Sequence, residues 1–126
     1  MRHRLVRLVP ALALGSMLAA CASLAGTGPA RLADGVYVGP NGMTLYTFDR
    51  DTTGKSNCNG PCAANWPPLM APAGAAPSGD WSVVRRDDGS SQWAYKGKPV
   101  YYWARDARPG DRTGDGVNDA WRLVRP

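Results

Sequence analysis

Two cysteines are the side chains in this chain whose types and spacing most directly suggest chemistry. Cys58 and Cys62 enclose three residues, so they could close a short disulfide ring or, when reduced, offer two thiolates to a soft metal such as Cu(I). Met43 and Met70 are the thioethers available to complete a copper site. The spacing is neither the C-x-x-C of thioredoxin-like enzymes nor the C-x-x-C-H of haem attachment. We therefore keep a disulfide and a redox or copper-handling role as alternatives.

Two aspartates occupy equivalent positions after aromatic segments. Asp51 follows Tyr46-x-Phe48, and Asp106 follows Tyr101-x-Trp103, each at the same distance. A carboxylate at the end of a strand can accept loop N–H groups or pair with the preceding arginine, Arg50 or Arg105. Paired acids for hydrolysis are the alternative, but we favour the structural role and expect no catalytic residues here.

A third candidate site lies near the C-terminus, in a segment that resembles the first nine positions of an EF-hand calcium loop. The oxygen-bearing residues at positions 1, 3, 5 and 9 are Asp111, Thr113, Asp115 and Asp119. Gly116 occupies position 6, but Arg122 stands at position 12, where a bidentate glutamate is wanted. Calcium binding is therefore a secondary hypothesis beside a simple solvated turn.

Composition excludes several classes of site. The single histidine, His3, lies in the N-terminal segment, so the rest of the chain lacks imidazole bases, histidine-ligated zinc and an axial haem histidine. We expect no cofactor. The net charge of +5 includes Arg2, Arg4 and Arg7; without them 12 Lys and Arg face 10 acids, a net of +2. Nucleic acid is therefore not an expected partner.

The N-terminus has the pattern of an export signal. Three arginines precede an apolar run that is shorter than the roughly 20 residues needed to span a bilayer. The run ends Leu18-Ala19-Ala20-Cys21, which resembles the lipobox of bacterial lipoproteins, so we expect Cys21 to be acylated and to anchor the protein to the membrane. Removing Cys21 leaves an even pair of cysteines in an oxidising compartment, for which a disulfide is the default.

The chain also contains an internal repeat. Shifting it by 55 positions aligns residues 42–69 with 97–124 without a gap, and five of 28 positions are identical: Gly42/Gly97, Tyr46/Tyr101, Arg50/Arg105, Asp51/Asp106 and Trp66/Trp121. Further positions match in kind, such as Phe48 with Trp103. A repeat of this length indicates two copies of one structural unit.

These residues resemble a known family. The segments Tyr46-x-Phe48-x-x-Asp51 and Tyr101-x-Trp103-x-x-Asp106 are similar to the signature of bacterial secreted-repeat lipoproteins with a Y-x-[FWY]-x-x-D motif. Other segments that fit are Cys58-x-x-x-Cys62, the Asn65-Trp66-Pro67-Pro68-Leu69 stretch, and Arg86-x-Asp88-Gly89-x-x-Gln92-Trp93. The resemblance implies an envelope location and a repeat architecture. It implies no catalytic residues, because the family's activity is not established.

Local patterns predict an all-β fold, because 15 Gly and 11 Pro leave little room for long helices. Turn signals predict hairpins around 39–42, 87–89 and 96–98, and a last short strand at 120–124. We expect a small antiparallel sandwich or barrel built from two pseudo-symmetric repeats. The predicted organisation is a signal peptide at 1–20, a lipidated cysteine and flexible tether at 21–33, and a domain at 34–126, with repeats at about 35–69 and 81–126 joined by a connection at 70–80.

Within each motif strand, period two places Tyr46 and Phe48, or Tyr101 and Trp103, on one face. Such aromatic layers form either the core of a small domain or a stacking platform for a sugar, quinone or peptide. The functional hypothesis is a non-enzymatic envelope lipoprotein that binds a ligand or an envelope partner or has a structural role. It would lie at the outer membrane or periplasmic face if the cell is Gram-negative.

Overall fold

The computed structural model describes residues 9–10 and 28–126 and shows a mostly β domain. The predicted acylation site Cys21 and nearly all of the predicted signal peptide lie outside the described residues. In chain order the elements are β1 (Arg31–Ala33), β2 (Val36–Val38), β3 (Tyr46–Phe48), α1 (Pro61–Asn65), β4 (Trp81–Arg85), β5 (Ser91–Tyr95), β6 (Lys98–Tyr101), a 3₁₀ turn (Val117–Asp119) and β7 (Trp121–Leu123).

The strands form two antiparallel sheets. Strands β1 and β2 make a two-stranded sheet, and the other five are ordered β4-β5-β6-β3-β7. In the described residues the strands do not close into a barrel, so the prediction of an all-β, sandwich-like fold is confirmed and its barrel alternative is not seen.

Turn chemistry explains two of the hairpins. Lys96 and Gly97 both have positive φ, 49° and 82°, and form the two-residue loop between β5 and β6. This conformation matches the twist of the flanking strands and favours glycine at the second position. The β4–β5 hairpin turns where the N–H of Gly89 donates to the carbonyl of Arg86. Both hairpins lie where the turn signals predict them.

The first hairpin of the domain begins at the end of the predicted tether. Residues 31–33 form β1, which pairs with β2 across the two-residue turn Asp34–Gly35. Both turn residues have positive φ, 49° and 81°, as the Lys96–Gly97 turn does. An Asp-Gly pair between short extended segments is a strong hairpin signal, and it outweighs the weakly apolar composition of this stretch.

The neighbouring antiparallel strands β3 and β6 have a different cluster of buried side chains on each face. Leu45, beside β3, and Val100 belong to one cluster; Tyr46 and Tyr101 belong to the other. The remaining buried members of the first cluster are Leu69, Ala71, Trp81, Trp93, Tyr95 and Val124. The second cluster contains Cys58, Trp66, Ala120 and Trp121, with Phe48 and Trp103 packed against it. The period-two prediction for the motif strands therefore matches the structure.

The two repeats exchange their last segments. Strand β7, at the end of the second repeat, pairs with β3 of the first, so that Phe48 lies opposite Trp121. At the end of the first repeat, the N–H of Leu69 donates to the carbonyl of Val100 in β6 of the second. Because each motif strand is completed by the other repeat, the backbone hydrogen bonds make the two copies mutually dependent.

Candidate functional site

The motif tyrosines and aspartates pair across the repeats. Tyr46 of the first copy donates its hydroxyl to Oδ2 of Asp106 in the second, at 2.6 Å. Tyr101 of the second copy donates to Oδ2 of Asp51 in the first, also at 2.6 Å. Tyr46 and Tyr101 are themselves opposite each other on β3 and β6. The four residues therefore form two reciprocal Tyr–Asp pairs about a pseudo-twofold axis.

The Tyr101–Asp51 pair also fixes the loop that precedes the cysteines. Oδ1 of Asp51 accepts the backbone N–H of Asn57 at 2.7 Å. The Ser56 hydroxyl lies 2.6 Å from the Tyr101 oxygen and donates to it, because the phenol proton is already given to Asp51. The carboxylate thus holds a loop N–H, one of the two roles predicted for it.

The Tyr46–Asp106 pair holds the equivalent loop in the second repeat. Oδ1 of Asp106 accepts the N–H of Thr113 at 3.0 Å and its hydroxyl at 2.6 Å. The N–H of Gly114 donates to the Tyr46 oxygen at 3.2 Å. A Cβ at position 114 would lie 2.8 Å from Cζ of Tyr46, so this close approach requires glycine.

Burial sets the protonation of these groups. Desolvation raises the pKa of both motif tyrosines far above the usual value of 10.0, and the hydrogen-bonded carboxylates, Asp106 for Tyr46 and Asp51 for Tyr101, raise it further. Burial also raises the pKa of Asp51, against the opposing effects of the Tyr101 hydroxyl, the Asn57 N–H and the charge of Arg86. Both tyrosines are thus neutral phenols that donate to Asp106 and Asp51.

Four aromatic rings of the second cluster stack in a row, which we call the aromatic stack. Its order is Phe48, Trp121, Trp66, Trp103, with centroid separations of 4.3, 3.7 and 3.9 Å. The inner tryptophans are buried and nearly parallel, with 3° between their planes, whereas Phe48 and Trp103 are only partly buried. The two end rings, Phe48 and Trp103, are at equivalent positions of the two repeats, and so are the two inner rings, Trp66 and Trp121.

The motif tyrosines connect the stack to the Tyr–Asp pairs. Tyr46 meets Trp66 edge to face at 5.5 Å, and Tyr101 meets Trp121 in the same way at 5.2 Å. Edge-to-face and offset-stacked geometries are those that aromatic rings prefer. The hydrogen bonds therefore fix the position of the rings as well as of the loops.

Two adjoining cavities lie along the aromatic stack, and together we call them the aromatic groove. The larger, of about 610 Å³, is lined by Asn65, Trp66, Trp103, Arg105, Thr113, Val117 and Asn118. The smaller, of about 250 Å³, is lined by Phe48, Arg50, Cys62, Asn65, Trp66, Asn118, Ala120 and Trp121. They share Asn65, Trp66 and Asn118, so they lie side by side, and the volume of the larger one is in the range of small-molecule sites.

The arginines of the groove are exposed and do not pair with the motif aspartates. Within the residues that the structure describes, neither Arg50 nor Arg105 belongs to an ion pair, which corrects the alternative that they hold Asp51 and Asp106. The Arg105 guanidinium lies 5.7 Å from the centre of the Trp103 ring. Both guanidiniums therefore keep their hydrogen-bonding capacity for a ligand.

Cys58 and Cys62 form a disulfide, with their Cα atoms 5.2 Å apart. Cys58 is fully buried, and its carbonyl accepts a 2.6 Å hydrogen bond from the buried guanidinium of Arg86. Arg86 also donates to Oε1 of Gln92 at 2.7 Å. Sequence reasoning missed this buried arginine, and the available signal was its place beside Val84 at period two in a strand pattern.

The other proposed metal and catalytic sites are not assembled. Oδ2 of Asp111 accepts the N–H groups of Ala107 and Arg108, and Asp119 pairs with Arg122. The hydroxyl of Thr113 donates a hydrogen bond to Asp106, and Asp115 is exposed. Among the described residues no cluster of three or more His, Cys, Asp or Glu side chains is placed to hold a metal. The structure thus gives no support to the calcium-loop interpretation.

The structure also gives no support to the hydrolase and copper hypotheses. Asp51 and Asp106 are each engaged by a tyrosine and by loop N–H groups, so neither presents a free pair of oxygens to a substrate. The sulfurs of Cys58 and Cys62 are bonded to each other and are not thiolate ligands in this state.

Comparison with known families accounts for the duplicated architecture. A family described as a secreted repeat of unknown function matches twice, over residues 31–70 and 82–125. This chain belongs to that secreted-repeat family. Comparisons with curated proteins and with solved structures gave no match. The two matched segments coincide with the two halves that exchange strands and hydrogen bonds, so the repeat unit of the family is half of this secreted-repeat domain.

Membership indicates an extracellular or envelope location for this secreted-repeat protein. In the part of the chain that the structure covers, no helix is long and apolar enough to cross a membrane.

Removing either motif hydroxyl should destabilise the domain. Tyr46→Phe and Tyr101→Phe each delete a hydrogen bond to a carboxylate, and such bonds contribute about 1.5–3 kcal/mol. Urea unfolding followed by tryptophan fluorescence would measure the loss. Tyr102→Phe is the control, because the Tyr102 hydroxyl makes no hydrogen bond within the described residues; a cost there as large as in the motif variants would contradict the assignment.

The same pairs predict a loss of stability at alkaline pH. The folded state raises the pKa of Tyr46 and Tyr101 above the unfolded value of 10.0, so their contribution is complete below pH 10 and falls as the pH rises toward the folded pKa. The expected slope reaches about 1.4 kcal/mol per pH unit for each tyrosine. Unfolding free energies measured between pH 9 and 11 should fall less steeply in Tyr46→Phe than in the parent chain. Equal slopes would contradict this linkage.

Proposed function

We propose that this secreted-repeat protein is a non-enzymatic lipoprotein of the cell envelope, anchored through Cys21, whose folded domain binds a ligand or partner in the aromatic groove. The observation that carries the proposal is that the motif residues fall into two groups, one hydrogen-bonded inside the fold and one exposed at the groove. The tyrosines and aspartates are consumed by hydrogen bonds inside the fold, whereas Arg50 and Arg105 are exposed at the groove. The tyrosines and aspartates, which could act as acids or bases, are hydrogen-bonded to each other, whereas the arginines can bind a ligand.

The shape of the groove supports binding rather than turnover. Its walls are aromatic rings held by stacking and by the Tyr–Asp pairs, so a ligand meets a surface that is already ordered. A preformed surface costs little conformational entropy when a ligand binds. A few polar groups at its rim, including the amides of Asn65 and Asn118, can fix the ligand's orientation.

Membrane anchoring is supported by the sequence alone. The export signal, the lipobox-like Leu18–Cys21 segment and the family's secreted character agree on an envelope location. A short weakly apolar segment before β1 would leave the domain close to the membrane surface.

The anchor can be tested by metabolic labelling with a fatty acid. Label should enter the parent chain and be absent from Cys21→Ser, and only the parent chain should fractionate with membranes. The matched control is Cys58→Ser/Cys62→Ser, which removes the other two cysteines and should keep the label. Label that persists in Cys21→Ser would show that Cys21 is not the acylation site.

Binding in the groove can be tested with the detergent-extracted protein by titrating envelope-derived polymers and small ligands while indole fluorescence is followed. At least one ligand should give a saturable response that is weakened about tenfold in Arg105→Gln. Arg85→Gln, an exposed arginine in β4, is the control and should bind normally. Chemical conversion of a bound ligand would contradict a non-enzymatic role, and so would a panel in which every response ignores the groove substitution.

A further inference from the structure

The aromatic groove has the same parts at both ends. The smaller cavity contains Arg50, the end ring Phe48 and Cys62; the larger contains Arg105, the end ring Trp103 and Val117. These are equivalent positions of the two repeats. A groove that presents one set of groups twice is suited to a ligand that also repeats its chemistry.

The electrostatics of the groove favour an anion. Both arginines are exposed and unpaired within the described residues. The oxygens of Asp51 and Asp106 are directed to tyrosines and loop N–H groups, and Asp119 pairs with Arg122, so none of these carboxylates forms an ion pair with Arg50 or Arg105 in the described residues. A guanidinium binds a carboxylate through two parallel hydrogen bonds, which gives both affinity and orientation.

The rings favour a ligand with flat apolar faces. Phe48 and Trp103 end the aromatic stack, so each has an outer face that no other ring of the stack covers. Because the rings are nearly parallel, these two faces point in opposite directions, and a ligand that packs on both must extend past the two ends of the stack. The Arg105 guanidinium lies 5.7 Å from the centre of the Trp103 ring, so a sugar on that ring also meets the arginine. None of the indole N–H groups of the stack donates a hydrogen bond within the described residues, although the inner tryptophans are buried and no buried polar atom there lacks a partner. These N–H groups therefore keep some contact with solvent, and that of the partly buried Trp103 ring can donate to ligand oxygens.

A pyranose ring combines a C–H face that packs on aromatic rings with hydroxyls that accept hydrogen bonds. A uronic acid adds one carboxylate for each sugar. Three stacking distances separate Phe48 from Trp103, so a single sugar cannot reach both end rings and both arginines. An oligomer is required for the two ends to act together, and linkage of the two contacts in one ligand raises the affinity beyond either alone.

We infer that the aromatic groove binds a linear polysaccharide with carboxylates on its sugars, its rings packing on Phe48 and Trp103 and its carboxylates pairing with Arg50 and Arg105. This inference rests on the proposed function, since it names the ligand class of the same groove. An envelope-anchored protein would thereby attach to an acidic glycan at or beyond the membrane.

The test uses the detergent-extracted protein and defined probes: an oligogalacturonate, free galacturonic acid, a neutral maltooligosaccharide of the same length, and polyphosphate. The oligogalacturonate should quench indole fluorescence saturably, and added salt should weaken its binding, because exposed ion pairs are screened. The monomer and the neutral oligomer should bind at least about tenfold more weakly.

Substitutions locate the binding. Arg50→Gln and Arg105→Gln should each weaken oligogalacturonate binding about tenfold, and Arg85→Gln should leave it unchanged. Trp103→Leu should weaken it as well, whereas Trp103→Phe, which keeps a ring, should largely restore it. Because the arginines are exposed, their variants should fold even if a tryptophan variant does not.

Several results would overturn the inference. Polyphosphate that binds more tightly than the oligogalacturonate, with the same arginine dependence, would make the groove a site for non-sugar polyanions. Oligogalacturonate binding that ignores both arginines would place it elsewhere. If no probe binds but another ligand in the wider titration depends on Arg105, the proposed function stands and the glycan assignment is wrong; if none depends on it, both fail.

Discussion

The reciprocal hydrogen bond between a tyrosine of one repeat and an aspartate of the other is the interaction on which the rest of this structure depends. A buried carboxylate and a buried phenol are each costly to leave without a partner. Here the partner lies in the other repeat, so neither copy can satisfy its motif alone. The backbone follows the same rule, because each motif strand is completed by the last segment of the other copy. The two repeats form one cooperative unit rather than two linked domains.

This constraint also explains why the aromatic stack is ordered. Aromatic rings make up much of the two buried clusters, so they provide a large share of the apolar area that the domain buries. The Tyr–Asp pairs hold Tyr46 and Tyr101 against the inner tryptophans, whose stacking then sets the end rings. The structural and binding interpretations of the aromatic layers are therefore compatible: the buried middle of the stack is core, and its partly buried ends line the groove.

Turns and strand alternation could be predicted from the sequence, whereas the pairing of each motif tyrosine with the aspartate of the other repeat could not. The Lys96–Gly97 turn follows from short-range sequence, and so does the alternation that separates Tyr46 from Leu45. Asp34–Gly35 carries an equally local signal, but its neighbours resemble a linker in composition. The partners of the motif residues are 60 and 50 positions apart, so they depend on which strands pair. No local pattern distinguishes an aspartate that accepts a hydrogen bond from the tyrosine of its own repeat from one that accepts it from the tyrosine of the other repeat.

The differences between the repeats show where the fold leaves freedom. Tyrosine and aspartate are identical in the two copies, as expected of groups that must satisfy each other. The groove ends differ: Cys62 in the smaller cavity is replaced by Val117 in the larger, and Phe48 by Trp103. The first loop is closed by a disulfide and rests on the Arg86 guanidinium; the second is held by Thr113 and Gly114. The two ends of the groove therefore share an arginine and an aromatic ring but differ in the size of that ring and in the side chain beside it, so that the ligand we propose would bind in one direction.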